Sequence, residues 1–148
     1  MLIQNLDRTD GNPVDITVQN VDGSGSITTG MGVAMVLAGA SINGYAVTKN
    51  TAALQPGFAG VATRDIPING FGEAQIWGFC GSILVSNVGT SITVNAGNAL
   101  RPGAVAGTFF SGQGTGETLS TLAYRWVVNA DTIAVSAQTW VRGFVRGF

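Results

Sequence analysis

Histidine is absent from this chain, and lysine occurs once, at Lys49. Without an imidazole, a serine or cysteine nucleophile has no general base of the usual kind. Cysteine also occurs once, at Cys80, which excludes an intramolecular disulfide. That residue lies within QIWGFCGSILV, where a small buried hydrophobe is the expected role. Charge of both signs is scarce. Asp, Glu, Lys and Arg make up 10% of the 148 residues, with a formal net charge of -1, against roughly 25% charged residues in an ordinary soluble domain. A near-neutral chain lacks the basic patches that neutralise phosphates, which argues against nucleic acid as a partner.

Long apolar runs are missing too. MGVAMVLAGA, residues 31–40, is too short to span a bilayer. The opening MLIQNLDRTD has neither the basic start nor the apolar segment of a secretion signal. The expectation is a chain with no membrane partner. Phosphate loops are equally absent. GSGSITTG (23–30) and GQGTGE (112–117) carry glycines but no lysine to reach a phosphate, so β-turns account for them. Asp7, Asp10, Asp15 and Asp22 lack the spacing of a calcium loop. Glu73 and Glu117 have no carboxylate partner at a spacing suited to acid–base work. Asp65 follows Arg64 and is expected to form a local or neighbouring ion pair. No catalytic, cofactor or metal residue is assigned, and the expectation is a protein that is not an enzyme.

Glycine is abundant, with 22 residues spread along the chain, and each interior glycine costs a helix about 1 kcal/mol. Between the glycines lie short stretches rich in Val, Ile, Thr and aromatics, several alternating with period two, which is the pattern of strands joined by tight turns. VDITVQN (14–20) reads as a strand with Val14, Ile16 and Val18 on one face. Further strands are expected within 43–50, 57–65, 72–87, 90–97 and 101–110, with two or three more from 123 onwards. MGVAMVLAG is too rich in small residues to assign. The fold class is therefore all-β: a small sandwich or barrel of short strands with extended N- and C-terminal arms. The division reads as an N-terminal arm over 1–13, a β-rich domain over 14–139 and a C-terminal arm or strand over 140–148.

The chain ends VRGFVRGF. As a strand, QTWVRGFVRGF places Trp140, Arg142, Phe144, Arg146 and Phe148 on one face and Val141, Gly143, Val145 and Gly147 on the other. Arginine interleaved with rings suits cation–π packing and the composition of interface hot spots. The Val and Gly face can lie close against another backbone. The apolar tips Leu2, Ile3 and the tail residues are the candidate subunit or capsid interface. Arms gripping a neighbour and edge strands of the chain's own sheet both fit. Sparse surface charge favours a molecule that buries much of its surface in contacts.

PGFAGVATRDIPINGFGEAQIWGFCGSILVSN, followed by VNAGNALRPG, resembles the decoration, or cement, proteins of tailed-phage capsids. The similar portions are Gly57–Ala62, Ile66–Gly72, Ala74–Ser82 and Ala96–Leu100, about the central third to half of the chain. The VRGFVRGF terminus is not part of that pattern. The resemblance implies a non-enzymatic virion protein, made in the host cytoplasm, that forms a homotrimer on the capsid surface and cements neighbouring major capsid protein subunits. Two other readings are kept: a different phage structural module, of tail tube or fibre, and a carbohydrate-binding sandwich using Trp77, Trp126 or Trp140 as a stacking platform.

Overall fold

Alternating side chains fix β1 (Val14–Asn20), whose Val18 is buried while Asp15 and Thr17 face solvent. The computed structural model describes residues 12–36, 45–51, 57–86, 92–103, 105–111, 127–135 and 137–147. Among them no residue lies in an α-helix, and strands supply the regular structure. They continue as β2 (Gly32–Met35), β3 (Ala46–Lys49), β4 (Phe58–Ala62), β5 (Phe71–Ser86), β6 (Ile92–Val94), β7 (Ala99–Pro102), β8 (Phe109–Ser111), β9 (Val127–Asn129), β10 (Ile133–Val135) and β11 (Gln138–Arg146). The unassigned stretch from Met31 thus contains β2, whose Gly32, Val33 and Ala34 are all buried. Small residues suit a strand enclosed on both faces, and such a strand shows no alternation.

Strand pairing closes into two rings that share β5. The first runs β1, β3, β2, β4, β5 and returns to β1; the second runs β5, β11, β9, β7, β8 and returns to β5. β5 has 16 residues, long enough to serve both. Its first half pairs with β1 from Phe71 to Trp77, and its second half pairs with β11 from Trp77 to Ser86. Closure removes the open sheet edges that invite aggregation. A separate two-stranded ribbon joins β6 to β10.

Each ring encloses its own core. Val18, Ile27, Val33, Val47, Ala59 and Ile66 fill the first, while Cys80, Ile83, Val85, Leu100, Phe109, Val127, Val141 and Val145 belong to the second. Burying each large side chain contributes about 1.5–3 kcal/mol. β4 divides between the two cores. A register shift opposite Val33 and Ala34 puts Phe58 and Val61 on the same face, where they join the second core, while Ala59 and Ala62 join the first. Phe58 meets Phe109 edge-on with centroids 5.7 Å apart.

Gln138–Arg146 is a strand of the chain's own sheet, paired along its length with β5 and over Gly143–Val145 with β9. Its inner face follows the alternation of the tail: Val141, Gly143 and Val145 are buried. The glycines answer to close backbone approach. A Cβ on Gly143 would stand 2.6 Å from the Val128 carbonyl oxygen, and one on Gly147 would stand 2.3 Å from that of Ala59. In the repeat VRGFVRGF, Val fills the core and Gly admits the neighbouring strands. Leu2, Ile3, Trp126 and Phe148 lie outside the described residues.

Candidate functional site

Directly opposed residues of an antiparallel pair share a face. Phe144 opposes Phe79 and Arg146 opposes Trp77, so the solvent side of the β5–β11 ribbon carries rings from both strands. Trp77 is 39% exposed, Phe79 49% and Trp140 59%. The Trp77 and Phe144 rings meet edge-on at 5.2 Å, and the Arg146 guanidinium lies 5.9 Å from the Trp77 ring centroid. Such a cation–π contact contributes about 0.5–1 kcal/mol at an exposed site. The expected face of Trp140, Arg142, Phe144 and Arg146 is therefore the outer face of β11, extended by Trp77 and Phe79.

Arg142 makes a different contact. Its Nε and Nη2 donate to Asp131 Oδ1 at 3.0 and 2.6 Å, and its backbone N–H donates to Oδ2 at 2.7 Å. These hydrogen bonds from the Arg142 side chain and backbone hold the Asp131 carboxyl below its usual range, and the same partner raises the Arg142 guanidinium. The pair fastens β11 to the turn before β10 and fixes the direction of the arginine.

Glu73 and Asp65 have structural work. Arg64 pairs with Glu73 rather than with its neighbour in sequence. Asp65 instead accepts hydrogen bonds from the Thr29 N–H at 2.7 Å and the Thr29 hydroxyl at 3.0 Å. The local or neighbouring ion pair expected for Asp65 is thus corrected to hydrogen bonds from Thr29. Glu73 lies across the strand pair from Thr63, near enough to receive the guanidinium, while the turn before Ile66 directs Asp65 to the Thr29 loop. Cys80 is 5% exposed, and burial pushes its thiol above the ordinary value. A protonated thiol inside a core is unsuited to nucleophilic chemistry. Among the described residues, no three His, Cys, Asp or Glu side chains group as metal ligands.

Phe79 was not expected at this surface, and Trp77 was named only as a candidate sugar-stacking platform, not among the subunit or capsid interface residues. A signal was present: in IWGFCG, Trp and Phe alternate with small residues as in the tail, and the same period-two argument would have placed both outside.

The described architecture is an all-β double ring with an aromatic and arginine ridge on its shared ribbon, a class of surface suited to docking. No family model matches the chain, and no curated protein does. A solved structure shares the fold: head fiber gp8.5 N base in bacteriophage phi29. It matches with a TM-score of 0.50 over 90% of this chain and 94% of that one, at 14% identity.

Proposed function

We propose that this chain is a non-enzymatic structural protein of a phage particle, seated on the outer surface of the head by contact with the major capsid protein. The carrying observation is the fold match: nearly the whole of this chain corresponds to nearly the whole of a head-fibre base. The ridge of Trp77, Phe79, Phe144 and Arg146 supplies a second support, because arginine and aromatic side chains are the usual hot-spot residues of protein interfaces. The ridge and the terminal residues Leu2, Ile3 and Phe148 form the contact set, and the assembled unit is a homotrimer. Binding only the assembled shell stabilises it by mass action, several kcal/mol per site when the site is saturated well above Kd.

Co-sedimentation with purified heads lacking the protein tests the reading. Saturable pelleting at a fixed number of copies per head is expected; a chain that stays in the supernatant at every head concentration defeats it. Two forms of the function then separate. A cement raises the temperature at which decorated heads release DNA, whereas a fibre base binds without moving it. Sedimentation equilibrium of the free protein tests the trimer.

A further inference from the structure

We infer that Trp140, at the opposite end of the outer β11 face from the Trp77, Phe79, Phe144 and Arg146 ridge that the proposed head attachment uses, is the platform of a neutral carbohydrate-binding site. The indole is exposed but held in one orientation. Its Nε1–H donates to the Thr29 carbonyl at 3.4 Å. Its Cδ1 and Nε1 edge rests on Gly30, where a Cβ would stand 3.1 Å from both atoms. Gly30 has φ of +86°, so the turn itself favours a residue without a side chain. With its polar edge satisfied on the protein, the ring still leaves 59% of the residue exposed. A ring pinned by its edge pays little entropy on binding, which is the advantage of a preorganised site.

Beside the indole lies an open depression of about 580 Å³, with Leu84 and Met31 among its lining. That volume falls in the range of small-molecule sites, which combine apolar lining with a few oriented polar groups. Here the polar groups are Thr28, Asp65, Ser82 and Gln138. Asp65 Oδ1 is engaged with Thr29, whereas no hydrogen bond to a described residue occupies Asp65 Oδ2, the Gln138 amide or the Thr28 and Ser82 hydroxyls. Together they offer a carboxylate acceptor, an amide that both donates and accepts, and two hydroxyls. Sugar hydroxyls both donate and accept, so such a mixed rim matches them, while the apolar face of a pyranose covers the indole. The single charge in the lining is the Asp65 carboxylate, which opposes anionic ligands and selects neutral sugars.

Isothermal titration calorimetry with cellohexaose, maltohexaose and chitohexaose tests the inference on the full chain. At least one is expected to bind saturably, with Kd below about 10 mM. Trp140→Ala should weaken that binding at least tenfold, Gln138→Ala should weaken it severalfold, and Trp77→Ala should leave it unchanged. Circular dichroism checks that each variant is folded. If Trp140→Ala does not fold, Trp140→Tyr and Gln138→Ala carry the test, because the first keeps a smaller ring and the second alters only an exposed rim residue. Failure of all three sugars to bind overturns the inference, as does binding that the Trp140 variants retain. A Trp140→Ala protein that loses co-sedimentation with heads while the wild type binds no sugar would assign the indole to capsid contact and overturn it equally. Since head attachment is read by pelleting and sugar binding by calorimetry, either idea can fail without the other.

Discussion

Asp22 shows how a single carboxylate can organise a turn. Its Oδ1 accepts from the Ser24 N–H at 2.8 Å and the Ser24 hydroxyl at 2.5 Å, and its Oδ2 accepts from the Thr48 hydroxyl at 2.8 Å and the Lys49 N–H at 3.0 Å. Partial burial opposes the charge, but the four donors outweigh it and hold the carboxyl well below the ordinary carboxylate range. A group whose folded pKa is depressed stabilises the fold above its unfolded value and loses that contribution as pH falls through the folded one. Stability from Asp22 is thus present at neutral pH and declines below about pH 4. Asp22→Asn removes two acceptor sites and places an amide donor among donors, at a cost of about 1–3 kcal/mol at pH 7. Urea unfolding at pH 7 and pH 3 should show the variant closer to wild type at the lower pH.

The tail glycines give a second test at the residue scale. Gly147→Ala sets a methyl group 2.3 Å from the Ala59 carbonyl oxygen, so strands must part; a loss of about 1–3 kcal/mol in chemical denaturation is expected. Gly81→Ala is the comparison. Nothing lies within 4 Å of its Cβ position, and stability should change by less than about 0.5 kcal/mol.

Among the elements, β11 decides whether the second ring exists. It pairs with β5 from Gln138 to Arg146 and with β9 from Gly143 to Val145, and Val141 and Val145 enter the core. Deleting residues 141–148 leaves edges of β5 and β9 unpaired and opens the core. The truncated protein should lose its native far-UV circular dichroism or aggregate on expression. Native-like dichroism with an unchanged urea midpoint would show that β11 is dispensable.

The same strand marks how far the sequence can be read. Its two faces were legible, because a strand's period tells which side chains turn inward, and Trp140, Arg142, Phe144 and Arg146 are indeed outward. Which backbone lies alongside was not legible, since alternation is the same whether the neighbour is β5 of the same chain or a strand of another copy. β1 emerged with its ends intact because Val14, Ile16 and Val18 alternate against polar residues. The sharing of β5 stayed hidden. Its glycines Gly72, Gly78 and Gly81 look like interruptions, yet Gly78 accommodates the start of β1, with the Cα of Pro13 2.9 Å from its Cβ position. At the site, Asp65 was misread as an ion-pair partner because the bend before Ile66 turns its carboxylate to the Thr29 N–H and hydroxyl, while Arg64 found Glu73 across the strand pair.

At the scale of the whole molecule, one strand belonging to two rings couples their stabilities. Neither ring closes without β5, and β4 sends Phe58 and Val61 into one core and Ala59 and Ala62 into the other. Losing either half therefore strips packing from the other, and the two cores should unfold together. Mutations deep in each ring provide the test. Ile66→Ala lies in the first core and Leu100→Ala in the second; each should cost about 2–5 kcal/mol. In both variants, tryptophan fluorescence and far-UV circular dichroism should report one coincident urea transition, displaced to lower midpoint. Independent rings would behave otherwise: Leu100→Ala would split the curve, leaving a residual β signal that melts at the wild-type midpoint. A shared strand also explains how an exposed ridge can be held rigid on so small a protein. Trp77 and Phe79 stand where β5 passes from pairing with β1 to pairing with β11, so the side chains offered to a partner sit on the strand that both rings share and lose their setting only when the whole molecule unfolds.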